Sequence, residues 1–416
     1  SPEARNIKSE LDYLFKILNC NQNTKFDLLV TEQQTEYSIG VGAGHTFTIS
    51  ENFVKRKISK DDLNGQGFFE SNGQIDYITT AFFCLSSWQE HEDKEPDALG
   101  RFQYKNSYQF KLGNIRRNIV QECFDAMAAR LGLQSRHEKS TFFLSHDIDT
   151  VYGAIKEDGF NVIKKGRFDL FLSMLFKVAI GKPAWLNIDH IMDLESAYDC
   201  RSTFYWIVNK AQKDADYQFQ SPRMQKYFKN VSSRGFDNGL HKSLSGESFQ
   251  QEIEKLGVHP LGNRYHFLKF HLPEGYDALE NAQIQLDASL GFSEQWGFRN
   301  NYGLPYNPYN MAKRAPYNFV EVPLHIMDRT FFHKRMDLRT VENEIFSFFE
   351  AHNENAVLSI LWHNNFFTDY KYKGYLSLYK KILAFIRDGN FGTINQEQII
   401  QKYSIDGHRN PTVAVK

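Results

Sequence analysis

Asp147 and Asp149 stand two residues apart in the run Ser145, His146, Asp147, Ile148, Asp149, directly after the apolar segment 141–144. Two carboxylates at the exit of a buried strand are costly unless they bind a cation or share a proton. His241 closes a second such segment after Gly239 and Leu240, and His363 a third, after the apolar run 356–362. Asp and His are the residue types that hold divalent metals and move protons near neutral pH. The competing reading makes either aspartate a helix cap and each histidine a satisfied core or loop residue. Three strand exits carrying such residues together favour the functional reading.

The elements that must position these groups are read from hydrophobic periodicity. Segments 141–144 and 203–208 are apolar β-type runs, and 319–324 and 356–362 read as further buried strands. Ser221 and Pro222 form an N-cap and first-turn pair, opening a helix whose Met224, Tyr227, Phe228 and Val231 recur at helical spacing. Phe249, Ile253 and Leu256 mark a helix stopped by Gly257. Leu338, Val341, Ile345, Phe348 and Phe349 mark another, and Tyr375, Tyr379, Ile382 and Ile386 one more before Gly389. Strands alternating with helices predict an α/β fold with a parallel sheet, open or closed as a barrel. In such folds the chemistry sits at the C-terminal ends of the strands.

Upstream, a mixed α/β texture runs from an amphipathic start (Leu11, Leu14, Phe15, Leu18) through the apolar segment 81–88 to a helical pattern over 115–133. Nothing in it clusters chemistry. The polar stretch 134–140 separates the two textures, which predicts an N-terminal α/β domain of unassigned role over 1–137 and a second domain over 138–416.

The chain has 416 residues, 49 Lys plus Arg against 50 Asp plus Glu, and a formal net charge of −1. That balance argues against nucleic acid as the partner, because neutralising phosphates needs a basic face. Hydrophobic residues at 41% exclude a mostly disordered chain. Cys20, Cys84, Cys123 and Cys200 lie far apart, so neither a disulfide scaffold nor a thiolate zinc site is expected. No run reaches the ~18–20 apolar residues of a membrane span, so a cytoplasmic location is expected, with a removed leader left open by the Ser1 start. One segment complicates this. Lys164, Lys165 and Arg167 precede a nearly all-round apolar helix pattern over 168–180, so 164–182 reads either as a buried helix with a solvated basic lead-in or as a peripheral membrane or partner contact.

From about residue 138 onward the chain resembles a polysaccharide deacetylase of the NodB-homology class, carbohydrate esterase family 4. It is similar in particular to a bacterial subgroup with an extra N-terminal domain, which the run from Ser87 to His91 followed by Gly100, Arg101 and Phe102 also resembles. The resemblance implies a distorted (β/α) barrel and a catalytic divalent metal, zinc first, with cobalt or nickel as alternatives. It makes Asp147 the base and Asp149 a metal ligand. His241 would be the next ligand, with Ser245 standing where a second histidine belongs. Arg264 would orient the base, Asp287 opens a segment, 287–292, that resembles the one following the Arg264 motif in many relatives and would be a further catalytic residue, and His363 would be the general acid. The order holds, with 92, 23, 23 and 76 residues separating Asp149, His241, Arg264, Asp287 and His363.

Ser245 leaves the metal one ligand short of the usual three protein ligands plus water, and a neutral hydroxyl is a poor substitute for imidazole. Ser245 is itself expected to cap the helix at Phe249. His266, where the family has proline, is one candidate for the missing ligand; His146 is another, although strand alternation turns it away from Asp147. A site completed by water, or none, is the remaining alternative. Trp362 and Phe298, with Trp296, Tyr302 and Phe366, would supply either a stacking platform for sugar rings or plain core, and Arg299 either an anion contact or a solvated loop charge. The implied function is metal-dependent removal of acetyl groups from an N- or O-acetylated carbohydrate. The alternatives are a catalytically impaired carbohydrate-binding or scaffold protein and hydrolysis of another C–N bond on the same fold. The sugar, its linkage and the oligomeric state are not legible.

Overall fold

The structure, a computed structural model, describes residues 6–22, 38–41, 45–93, 95–133 and 137–405. The first three residues of the polar stretch at 134–140 lie outside these.

The N-terminal part is mainly helical. Helices Lys8–Gln22, Tyr77–Leu85 and Ile119–Arg130 pack on one another, beside two antiparallel hairpins, β1 (Ser38–Val41) with β2 (His45–Thr48) and β3 (Phe69–Ser71) with β4 (Gln74–Asp76). Asp76 caps the second helix by accepting from the Thr79 amide.

The remainder forms one curled sheet in a mixed α/β arrangement. Its strands are β5 (Thr141–Ile148), β6 (Ser202–Trp206), β7 (Asp237–Lys242), β8 (Gly262–Tyr265) and β9 (Leu286–Asp287). A small hairpin, β10 (Tyr309–Asn310) with β11 (Ala315–Pro316), intervenes before β12 (Val320–Glu321), β13 (Ile326–Met327), β14 (Val357–Leu361) and β15 (Gly392–Thr393). The sheet runs β12-β9-β8-β7-β6-β5-β14-β13, with β15 added beside the start of β5, and every pairing is parallel. The path is open between β12 and β13, although only residues 322–325 separate those strands in the chain, an arrangement compatible with a (β/α) barrel. The central strands are buried along almost their whole length, as both-face coverage by helices requires.

Most expected elements form where periodicity puts them. The helix Pro222–Ser233 has Ser221 as its cap and proline in its first turn, and Phe249–Leu256 ends on Gly257 in the left-handed conformation. Two differences matter. The cap of the second helix is Ser248, in a reciprocal arrangement with Gln251, and not Ser245. The helix Phe168–Ala179 is not a buried helix: Met174 is its one buried side chain.

One continuous cluster of buried apolar side chains extends from Ile7 to Tyr403 and includes both parts of the chain. Polar ties reinforce it. Tyr13 donates to the Asn307 carbonyl at 2.9 Å, and the Arg299 guanidinium grips Glu90 through two hydrogen bonds of 2.8 and 2.6 Å.

Candidate active site and metal centre

The strand exits converge at the C-terminal end of the sheet. Asp147 lies near the end of β5 and Asp149 directly after it, His241 lies near the end of β7, and β8, which contains Arg264, is followed directly by His266. Across the sheet, Asp328 follows β13 and His363 follows β14.

Asp149, His241 and His266 form a buried group in which one donor atom from each lies within 4.8 Å of the others. Asp149 Oδ1 is 3.3 Å from His241 Nε2 and 3.7 Å from His266 Nε2. Asp149 Oδ1 and His241 Nε2 are buried without a hydrogen-bond partner, a costly state that a cation between them would relieve. The outer contacts set the tautomers. His241 Nδ1 donates to the Arg264 carbonyl at 2.8 Å, which turns the Nε2 lone pair inward. His266 Nδ1 meets Asp214 Oδ1 at 3.1 Å, and Asp214 also accepts from the Leu244 amide, the carboxylate–histidine support common behind metal ligands. One carboxylate and two imidazoles are a donor set that suits zinc. The residues present fit a divalent cation.

His266 is held by unusual backbone. Phe267 and Leu268, the next two residues, have φ of 57° and 52°, the left-handed region that non-glycine residues enter at a cost of order 1–3 kcal/mol each. Arg101, from the N-terminal part, donates to the Phe267 carbonyl at 2.7 Å and is itself fixed by Asp97 at 2.8 Å.

Asp147 sits beside this group. Its Oδ2 is 3.4 Å from His241 Nε2, and its Oδ1 accepts from Arg264 Nη1 at 3.1 Å. Arg264 is anchored in turn by Ser145 Oγ, by the Ala288 carbonyl, both at 2.8 Å, and by the ring of Tyr205. His363 faces the cluster from the other side: Nε2 lies 3.8 Å from Asp149 Oδ2, while Nδ1 is held at 2.7 Å by Asp328 Oδ1. Arg329 brings a guanidinium to 3.3 Å from the same Asp149 oxygen.

These positions shift proton affinities. Burial pushes the Asp149 carboxyl up, but His266, His241, His363 and Arg329 outweigh it and hold it well below the usual carboxylate range. Burial lowers the His241 imidazole, and Asp147 and Asp149 more than reverse this. The group opens into a pocket of about 420 Å³, lined by Asp147, Asp149, His266 and His363 on its floor and by Arg101 and Arg329 among its walls.

Several expected residues lie elsewhere. Asp287 does not reach the pocket; its carboxyl accepts from Asn263 and Ser289 and lies beside Glu321 on the neighbouring strand. Burial pushes Asp287 up to about 6 and Glu321 well above its ordinary value. Trp362 is wholly buried against Tyr375 and Tyr379, and Phe298 against His325, Phe348 and His352. Arg299 is neither an anion contact nor a solvated charge but the internal partner of Glu90. Trp296, Tyr302 and Phe366 are likewise core. His146 points to the opposite face of β5, between Glu195 at 2.8 Å and the Trp362 carbonyl. Ser245 is occupied by Asn209, Ser243 and Glu252.

Asp214, Asp328, Arg329 and Arg101 were not expected. Asp328 obeys the strand-exit rule, but the strand before it was read as ending at Leu324. Arg101 lies in the run from Gly100 to Phe102 that carries part of the resemblance, without a role assigned to it, and no motif marks Asp214 or Arg329.

A family of unknown function (DUF7033) matches residues 3–135 of the chain. Among solved structures, the chain is similar to a protein from Mycobacterium smegmatis provisionally named a polysaccharide deacetylase, with 13% identity over 68% of this chain and 96% of that one, at a TM-score of 0.42. It is also similar to a 4-alpha-glucanotransferase from Thermococcus litoralis, with 10% identity over 64% of this chain and 41% of that one, at a TM-score of 0.39. No curated protein matches.

Proposed function

We propose that the protein is a metal-dependent hydrolase that removes acetyl groups from an acetylated carbohydrate, with residues 138–416 as its catalytic domain. The observation that carries this reading is the convergence of Asp149, His241 and His266 on one point, with Asp147 and His363 on either side of it. The motif order from Asp147 to His363 supports the substrate class.

A divalent cation held by Asp149, His241 and His266 would polarise the acetyl carbonyl and make a water acidic enough to attack near neutral pH. Asp147 takes the proton of the attacking water. Arg264 fixes the direction of Asp147 through the charge-assisted hydrogen bond at Oδ1. His363 protonates the departing nitrogen or oxygen through Nε2, since Asp328 occupies Nδ1. Arg329 faces the same pocket as a second positive charge where the carbonyl oxygen gains negative charge.

The test is acetate release from a panel of N- and O-acetylated oligosaccharides by zinc-loaded protein. Asp147→Asn is expected to keep its metal and lose ~10²–10⁴-fold in turnover. A variant that still released acetate at the parental rate would remove Asp147 from the role of base, and no acetate from any substrate by the metal-loaded parent would favour the carbohydrate-binding alternative.

A further inference from the structure

Thirteen large apolar side chains are exposed among the described residues, and nine of them lie between Tyr152 and Ile180, so the exposed apolar surface is concentrated in one place. That place is a helical hairpin, Ala154–Lys164 followed by Phe168–Ala179, inserted directly after Asp149 leaves β5. The hairpin is a built unit. Gly159 lets the helices approach so closely that a Cβ there would sit 3.1 Å from the Phe171 ring, and Met174 is buried beneath. Its outer face inverts the usual pattern of a surface helix. Phe168, Leu172, Leu175, Phe176 and Ala179 recur at helical spacing on one stripe, all exposed, with Phe168, Leu172 and Phe176 each more than 60% exposed. Phe160 on the first helix, at 70%, extends the same surface.

Cations outnumber exposed acids on this hairpin. Lys164, Lys165 and Arg167 are exposed at the hairpin tip, Lys156 lies on the first helix and Lys182 at the base. The two exposed acids of the hairpin are already in ion pairs, Asp169 with Arg167 at 2.8 Å and Glu157 with Lys371 at 3.5 Å. A chain with a net charge of −1 thus gathers cations around its largest apolar surface. A second copy docked face to face would set these cations against their own symmetry mates. The twelve-residue helix is ~18 Å long, too short for the ~30 Å hydrocarbon core of a bilayer, and no helix among the described residues is long and apolar enough to cross one.

We propose that the hairpin 154–180 docks the protein on an anionic lipid surface, with Phe168, Leu172, Leu175 and Phe176 immersed among the acyl chains and Lys164, Lys165 and Lys182 at the phosphates. The hairpin rises from the end of the sheet that carries the pocket, so a docked protein holds its pocket on the membrane side of the sheet. Docking does not depend on the hydrolytic reading and is tested apart from it.

The experiment is flotation of the full chain with vesicles of phosphatidylcholine, alone and mixed with phosphatidylglycerol, at rising salt. The expected result is binding to the mixed vesicles only, weakened by salt as a Lys-based contact requires. Leu172→Glu with Phe176→Glu, both largely exposed, is expected to lower the bound fraction at least ~10-fold while helix content and metal content stay parental. Lys164→Glu with Lys165→Glu is expected to abolish the preference for phosphatidylglycerol. Asp147→Asn is expected to bind vesicles as the parent does, which separates a failure of docking from a failure of the catalytic assignment. Absence of flotation under all these conditions would overturn the proposal. So would a concentration-dependent dimer that dissociates in the Leu172→Glu, Phe176→Glu variant while the parent ignores lipid, which would assign the face to a second copy.

Discussion

Two pairs of buried carboxyl groups lie at strand ends of the same sheet, and they have opposite kinds of neighbour. Asp147 and Asp149 are surrounded by imidazoles and guanidiniums, and Asp149 is held well below the usual range. Asp287 and Glu321, register partners on β9 and β12, have amides and hydroxyls for neighbours and no cation at hydrogen-bond distance among the described residues. Burial therefore dominates there, raising Asp287 to about 6 and Glu321 further above its ordinary value. The comparison teaches that a carboxyl group near a strand end becomes reactive through its neighbours and not through its position alone. One pair is poised to hold a cation and accept a proton. In the other, burial raises both groups, and the pair lies between neighbouring strands.

The largest expected effect breaks the first pair. Asp149→Ala removes a ligand and leaves His241 and His266 facing each other; metal content should fall below stoichiometry and acetate release should drop by ~10³-fold or more. Next comes the support of the general acid. Asp328→Asn keeps a hydrogen-bond acceptor for His363 Nδ1 but removes the carboxylate charge beside it, so turnover should fall ~10–10²-fold with metal content unchanged. Equal metal loss and turnover loss would instead mark Asp328 as part of the cation's support.

Asp287→Asn sharpens the comparison from the other side. Acetate release should remain within a few-fold of the parent, since Asp287 touches neither Asp147 nor the pocket. A loss comparable to that of Asp147→Asn would restore Asp287 to the catalytic group.

The smallest effect is one of pH. A carboxyl raised in the folded state contributes stability that is full below its unfolded value near ~4 and is lost as pH rises through the folded value. For Asp287 that window closes at about 6. Glu321→Gln removes the more strongly raised group of the pair and leaves Asp287 an amide that can still donate to it. Between about pH 5 and about pH 8, the parent's Tm should therefore fall by several degrees more than that of Glu321→Gln, measured by calorimetry.

Much of the site was legible because strands betray themselves by apolar runs that end abruptly in polar residues. Asp147, Asp149 and His363 follow such runs of four or more residues, and His241 follows the shorter pair Gly239 and Leu240. Asp328 does not stand out, because β13 has two residues and the apolar signal before it fades at Leu324. His266 was visible as a histidine in an unexpected position, but only the left-handed turn at Phe267 and Leu268 shows how it is aimed. Arg101 is more than a hundred and sixty residues from the carbonyl it holds, a contact no local pattern encodes. Asp287 misled because its two-residue strand lies next to the site strand, and its carboxyl turns to Asn263 instead. The aromatic residues misled for a compositional reason: a ring that stacks on sugar and a ring that fills a core read alike in sequence. The helix at 168–179 misled in the opposite sense, since an all-round apolar pattern ordinarily means burial.

The central claim is that Asp149, His241 and His266 together hold one divalent cation. Zinc-edge anomalous diffraction from zinc-loaded crystals tests it most directly. The predicted result is a single peak within ~2.0–2.2 Å of a carboxylate oxygen of Asp149 and an imidazole nitrogen of each histidine, absent from crystals of His266→Ala. No peak between these three side chains, or a peak that persists unchanged in His266→Ala, would contradict the account.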